Sequence, residues 1–340
     1  MTSGTGLRSM MIGLGVLALV GGCAAAPPPA AVPVPRMTAQ ALAYESPSLQ
    51  GIQIFPKSNP WNTKINKSKV DKNSKKLIKA ISGKLHPDFG ADWDGGPFGI
   101  PYVVVSGSQP KVPIDFVWYG DESDSGDPSG VGNGSGKGMY PVPANAPIEG
   151  GEASDGDRHV LVLDRQNMML YEMGNAYPHA DDSWEAGAGA VFNLKSNKLR
   201  PKYWTSADAA GLPILPGLVR YDEVAAGKIT HAIRFTVSRT RKAFVSPARH
   251  YASSNRSSSL PPMGMRVRLK KSFKISGYPK QARVILQAMK DYGLILADNG
   301  GNWFFSGAPD SRWDDGQLNT LKKVPGSAFE VVKMGKMTKG

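Results

Sequence analysis

Short apolar runs broken by Gly and Pro recur along the chain from about residue 97. Residues 102–105, 114–119, 159–163 and 168–173 are rich in Val, Leu, Ile, Met and aromatics and read as strands. Asp164, Arg165, Gln166 and Asn167 separate the last two, a turn composition that predicts a hairpin. Residues 188–193, 230–237 and 265–270 continue the pattern. In the last of these, Met265, Val267 and Leu269 alternate with Arg266, Arg268 and Lys270, giving one apolar face and one wet, basic face. A different period governs 279–292. There Ala282, Ile285, Leu286, Met289 and Tyr292 fall on one stripe of a helix, Pro279 suits its first turn and Gly293 its end. A strand at 294–297 follows. Shorter helical turns are expected at 206–210, capped by Ser206, and at 222–226, ended by Gly227, and the lysine-rich stretch 66–81 is a further candidate helix. The expected fold is mainly β: an antiparallel, jelly-roll-like β-sandwich of two packed sheets, with one peripheral helix near 279–292.

The first fifty residues break this pattern. Arg8 precedes an apolar run at 10–20, followed by Gly21, Gly22 and Cys23. The run is shorter than the roughly 20 residues that span a bilayer, so it reads as an export signal. Val20-Gly21-Gly22-Cys23 resembles the lipobox of bacterial lipoproteins, with Val where Leu is usual and Gly where Ala or Ser is usual. That resemblance implies lipidation of Cys23, and Ala24 after it implies the outer membrane. The other reading is an ordinary cleaved signal with Cys23 incidental. Cys23 is the single cysteine, so the chain has no intramolecular disulfide. Ala, Pro and Val fill residues 24–35 and suit a stiff spacer. The expected organisation is a signal at 1–22, lipidated Cys23 and tether at 23–50, a β-rich domain at 51–333 and a tail at 334–340. Within the domain, residues 121–138 have little to bury and read as a mobile surface loop. Its Asp121, Asp124 and Asp127 lack the ordered ligand spacing of an EF-hand.

Charge narrows the partners. The formal net charge is +13, concentrated in Lys64, Lys67, Lys69, Lys72, Lys75, Lys76 and Lys79 and again in Arg266, Arg268, Lys270 and Lys271. Outside the cytoplasm such a surface meets lipid headgroups, acidic polysaccharide or cell-wall polymers, or simply aids solubility. Nucleic acid is not expected, since no recognition motif supports it. Phosphate-binding Gly-rich loops, His-Glu-x-x-His and Gly-x-Ser-x-Gly are absent. The histidines show no metal-ligand spacing, so neither a metal nor another cofactor is expected.

Candidate chemistry is concentrated between residues 157 and 251. Aromatics beside acids and arginines suit a sugar cleft, where rings stack on pyranose faces and paired carboxylates cleave a glycosidic bond. The candidate catalytic residues are Asp208, Glu185, Glu223 and His231, with Asp222 a further acid. Asp208 leads, because it lies between Trp204 and the apolar stretch 211–216, where desolvation raises a carboxyl pKa. Its bland alternative is the solvent-facing first turn after Ser206. Candidate substrate-binding residues are Trp184, Trp204, Arg220, Arg234, Arg249 and His250. His231, His250, Tyr251 and the arginines also fit a polysaccharide lyase, in which a base removes a proton beside a uronate carboxyl that an arginine neutralises. Alternatively, His231 and Arg234 are structural partners of carboxylates such as Asp157 or Asp164.

The stretch 204–224, with 231–236 and 247–250, resembles a family of secreted bacterial proteins of unsettled activity, some joined to carbohydrate-binding modules. Residues 296–300 and 303–310 carry the same resemblance, which spans about 50–332 and implies carbohydrate by association only. The expected function is a surface-anchored enzyme on extracellular polysaccharide, a glycoside hydrolase before a lyase. A non-catalytic carbohydrate- or cell-wall-binding lipoprotein and a purely structural envelope protein are the other readings.

Overall fold

The computed structural model describes residues 44–127, 134 and 136–340. The expected signal, Cys23 and the tether up to residue 43 lie outside the described residues, as do 128–133 and 135 of the expected loop.

Short alternating segments build a six-stranded sheet in the order His86–Asp88, Phe304–Ser306, Ile233–Val237, Leu294–Asn299, Arg266–Leu269, Phe329–Val331. The strand 86–88 runs parallel to 304–306, and 233–237 parallel to 294–299, while the other pairs are antiparallel. Ile233, Phe235, Val237, Val267 and Phe305 belong to the larger of two hydrophobic cores. The helix Lys280–Asp291 buries Ala282, Ile285, Leu286 and Met289 in the same core, as its stripe predicts. Fully burying Ile285, Leu286 or Met289 is worth about 1.5–3 kcal/mol each, far more than helix propensity contributes. Gly293 ends the helix at φ +74°, and a Cβ there would stand 2.2 Å from the Val267 carbonyl oxygen. Glycine is needed both for the turn and for this close approach.

A smaller core lies between two four-stranded sheets. One has the order Lys137–Tyr140, Val112–Phe116, Trp184–Ala186, Tyr177–Pro178, and the other Ala188–Asn193, Met169–Gly174, Val160–Asp164, Tyr102–Val105. Ile114, Phe116, Tyr140 and Trp184 of the first meet Val160, Val162, Tyr171 and Met173 of the second. Leu161, Leu163, Leu170 and Phe192, on the reverse of the second sheet, join the larger core. That sheet is buried on both faces, which is why 160–163 is an unbroken apolar run. A three-stranded sheet (Pro262–Met263, Arg241–Val245, Met337–Lys339) and the hairpin Gly90–Trp93/Gly96–Phe98 complete the fold.

The fold is mainly β, 28% strand against 14% helix, and one sheet curls into a half-barrel. In place of two antiparallel sheets the strands of the described residues form five, and four of these contain a parallel pair. Parallel partners lie far apart in sequence, so local alternation carries no trace of them. The lysine-rich stretch is helical only at Ser74–Ala80. Residues 206–210 form a turn, in which the Ser206 hydroxyl accepts from the Asp208 amide (3.0 Å) and donates to the Leu212 carbonyl (2.7 Å). That side chain competes with helix instead of capping it. Residues 334–340, read as a tail, contribute a strand that pairs with Arg241–Val245. The expected loop starts with a buried anchor, because Asp124 is fully enclosed and paired with Arg200.

Candidate functional site

A cleft of about 1260 Å³ opens at one edge of the six-stranded sheet. The edge strand 86–88 supplies Asp88, whose neighbour His86 lies flat on Phe304 (3.9 Å between ring centres). The hairpin 90–98 supplies Phe98 and Trp93, the latter 74% exposed at the rim. Two backbone amides of this hairpin, Ala91 and Asp92, donate to the Asp315 carboxylate at 2.9 and 3.0 Å. The turn at 148–151 supplies Glu149.

Glu149 is held by the start of the doubly buried sheet. Its amide donates to the His159 carbonyl (3.0 Å), and its carboxylate faces His159 Nδ1 at 2.5 Å. His159 Nε2 donates to the Ala207 carbonyl (3.0 Å), which fixes the ring. Arg158, itself 2% exposed, donates to the carbonyls of Glu152 (2.7 Å), Ser154 (2.8 Å) and Ala176 (3.0 Å). It thereby shapes the segment between Glu149 and Asp157.

Sheet register sets the other wall. Asp88 is opposite Ser306, and the antiparallel pairing of Phe235 with Phe305 places Arg234 beside Ser306. Arg234 accordingly donates to Ser306 Oγ at 2.7 Å. Its fork grips both oxygens of the fully buried Asp208, at 2.8 and 2.9 Å, and reaches Asp298 at 3.4 Å. Asp208 is therefore the counter-ion of Arg234, enclosed behind the cleft.

The environments push the acids in opposite directions. Burial works against a charge on Glu149, but His159 and then Arg234 outweigh it, so its pKa falls below the usual value. Asp88 lines the cleft with its side chain open to solvent; partial desolvation there, then the charges of Glu149 and Asp157, raise its pKa despite Arg234. Burial would lower His159, but Glu149 overcomes it and raises the imidazole to about 9. Asp298 is pushed up to about 7 by burial and by Asp208, against the pull of Arg234. Glu149, Asp157 and His159 also each turn one ligand atom to within 4.8 Å of the others, but His159 spends both ring nitrogens on Glu149 and the Ala207 carbonyl.

The residues singled out from sequence lie in several places. Glu223 pairs with Arg220 (2.7 Å) and with His231 (2.9 Å) beside a separate cavity of about 200 Å³. Burial opposes its charge, but Arg220 and His231 hold its pKa below the usual value. Asp222 accepts from Ser48 at the surface. Glu185 stands across from Asp115 on the reverse of the sheet that Trp184 and Ala186 face into. Trp184 is buried in the smaller core and its edge reaches the cleft. Trp204 lies under the Arg200 guanidinium (5.8 Å), and Arg249 donates to the Arg200 carbonyl (2.6 Å). His250 bonds the Ala209 carbonyl and stacks on Tyr251. The carboxylate partners of Arg234 and His231 are thus Asp208 and Glu223, rather than Asp157 or Asp164. The structure brings together Asp208 with Arg234 and Arg220 with Glu223 and His231, but not the whole set.

Asp88, Glu149, Trp93 and the His159 support carried no strong sequence signal. The nearest was Asp157-Arg158-His159, three polar residues heading an otherwise apolar strand. Comparison of the chain with protein-family models, with curated proteins and with solved structures finds no match, so the functional reading rests on these residues.

Proposed function

We propose that the chain is an exported, lipid-anchored glycoside hydrolase acting on extracellular polysaccharide, with Asp88 as acid and Glu149 as base or nucleophile. The observation that carries this reading is one cleft lined by an exposed tryptophan together with two carboxyls whose surroundings drive their pKa values apart. Such divergence is how a pair of like groups divides into acid and base. Asp88 keeps its proton more readily and gives it to the glycosidic oxygen as the C–O bond breaks. Glu149, kept ionised by His159, attacks the anomeric carbon or deprotonates the incoming water. Trp93 offers a ring face to a sugar, and Phe98 braces it at 6.1 Å.

A lyase on uronates is less well supported. Among the described residues that line the cleft there is no arginine to neutralise a uronate carboxylate, and Arg234 already serves Asp208, Asp298 and Ser306. Lys322 is the single lysine or arginine among the described residues that line the cleft, against Asp88, Asp94, Glu149 and Glu152. The test is to incubate the purified protein with neutral and uronate-containing polysaccharides, following reducing ends and absorbance near 235 nm. New reducing ends without that absorbance, lost in Glu149→Gln, support the hydrolase. Both signals together would favour the lyase, and binding without either would favour a carbohydrate-binding lipoprotein.

A further inference from the structure

We propose that the lysine-lined groove beside the helix Ser74–Ala80 is a second, non-catalytic binding site for a polyanionic glycan strand. This inference is independent of the hydrolase assignment. Between residues 64 and 84 the chain carries eight lysines and one acid, Asp71. The structure gathers Lys72, Lys75 and Lys79 from this segment with Lys270 around a groove of about 800 Å³. Leu77 and Ile78 hold the helix down, so Lys75 and Lys79, four residues apart, share its outer face. Like charges at that spacing repel.

The two acids at the groove are already engaged. Asp71 accepts from the amides of Asn73 (2.8 Å) and Met334 (3.3 Å), and Glu330 pairs with Arg268 at 2.8 Å. Lys72, Lys75 and Lys79 have no ion-pair partner among the described residues. Between the lysines the groove is part apolar, from Ile78, Ile81, Pro325 and Phe329, and part hydroxyl, from Ser74, Ser82 and Ser327. An anionic glycan has both features this calls for: carboxylates or phosphates at its edges and apolar ring faces between them. Concavity separates it from a membrane, because a flat bilayer meets protruding lysines, whereas a strand enters a groove. The acidic cleft lies elsewhere and shares no lining residue with this groove.

The test measures binding of the purified protein to polygalacturonate, with neutral dextran, inorganic phosphate and phosphatidylglycerol vesicles as comparison probes. Lys75→Glu/Lys79→Glu is compared with Lys195→Glu/Lys198→Glu, an equal charge reversal at exposed sites outside the groove. Both pairs sit on the surface, and an unchanged unfolding midpoint confirms that each variant folds. The expected result is about tenfold or greater weakening of polygalacturonate binding by the groove pair alone, with salt-sensitive wild-type binding. Weak, equal binding of inorganic phosphate by the groove variant and wild type agrees with a polymer site. Equal weakening by both pairs would mean general surface charge and overturn the proposal. So would the absence of polygalacturonate binding, or a loss confined to the vesicles.

Discussion

Removing one partner of the Asp208–Arg234 pair should destabilise the protein far more than a surface substitution does. Asp208 is fully buried and Arg234 is 4% exposed, so neither charge can turn to water when its partner is removed. Arg234→Met leaves Asp208 with Asp298 as a neighbouring acid, and breaking a buried pair in this way costs about 3–5 kcal/mol. Asp208→Asn is milder, near 3 kcal/mol, because Arg234 keeps Asp298 at 3.4 Å and Ser306 at 2.7 Å. Asp208→Asn/Arg234→Met removes both charges and should cost about 2 kcal/mol less than the two single changes together. The assay is urea unfolding followed by tryptophan fluorescence. With a slope near 3 kcal/mol per molar, the single changes move the midpoint down by about 1–1.7 M. If Asp208→Asn moved it by less than about 0.3 M while abolishing turnover, Asp208 would be a reacting group and the cleft assignment would fall.

Asp88→Asn and Glu149→Gln should each lower kcat by at least about 10²-fold in steady-state kinetics; Asp88→Asn should leave the unfolding midpoint nearly unchanged, whereas Glu149→Gln should also lower it, because the buried His159 loses its counter-ion. In the wild type, the acid limb of kcat/KM should lie below the usual Glu range, set by Glu149, and the alkaline limb above the usual Asp range, set by Asp88. Trp93→Ala should raise KM for long substrates and leave kcat near wild type, since its ring stands at the rim. Burial raises Glu172 to about 7, even though it accepts from the amides of Ile214 and Leu215. The folded state then binds more protons than the unfolded chain between about pH 4.5 and 7, so this group's stabilisation is lost as pH rises through 7. Glu172→Gln should remove about 3 kcal/mol of that fall, measured by urea unfolding at pH 5 and 8, while the part due to Asp298 stays.

Elements that depend on local period were legible in the sequence. The helix at 280–291, its glycine stop and the hairpin joining 160–164 to 169–174 are all written in neighbouring residues. Pairings such as 86–88 with 304–306 are not, because three-residue strands more than two hundred positions apart leave no periodic mark. The candidate site suffered from the same limit. Asp208 and Arg234 stood out as charges beside aromatics, but only the fold shows that they satisfy each other. Asp88 ends a three-residue strand and Glu149 sits in a turn, both in Gly- and Pro-rich stretches where an acid looks like ordinary loop composition. Their chemistry comes from His159, Arg234 and each other, partners that register and a turn bring together.

The sheet buried on both faces also governs how the molecule comes apart. Its strands 160–164 and 169–174 give alternate side chains to the two cores, so neither core can open while the other stays closed. Backbone amides of Leu161, Val162 and Leu163 should therefore exchange with solvent only when the whole protein unfolds, and both halves should melt in one transition. His159 precedes the first of these strands and carries Glu149, which ties the turn at 148–151 in the cleft to the part of the chain expected to exchange slowest.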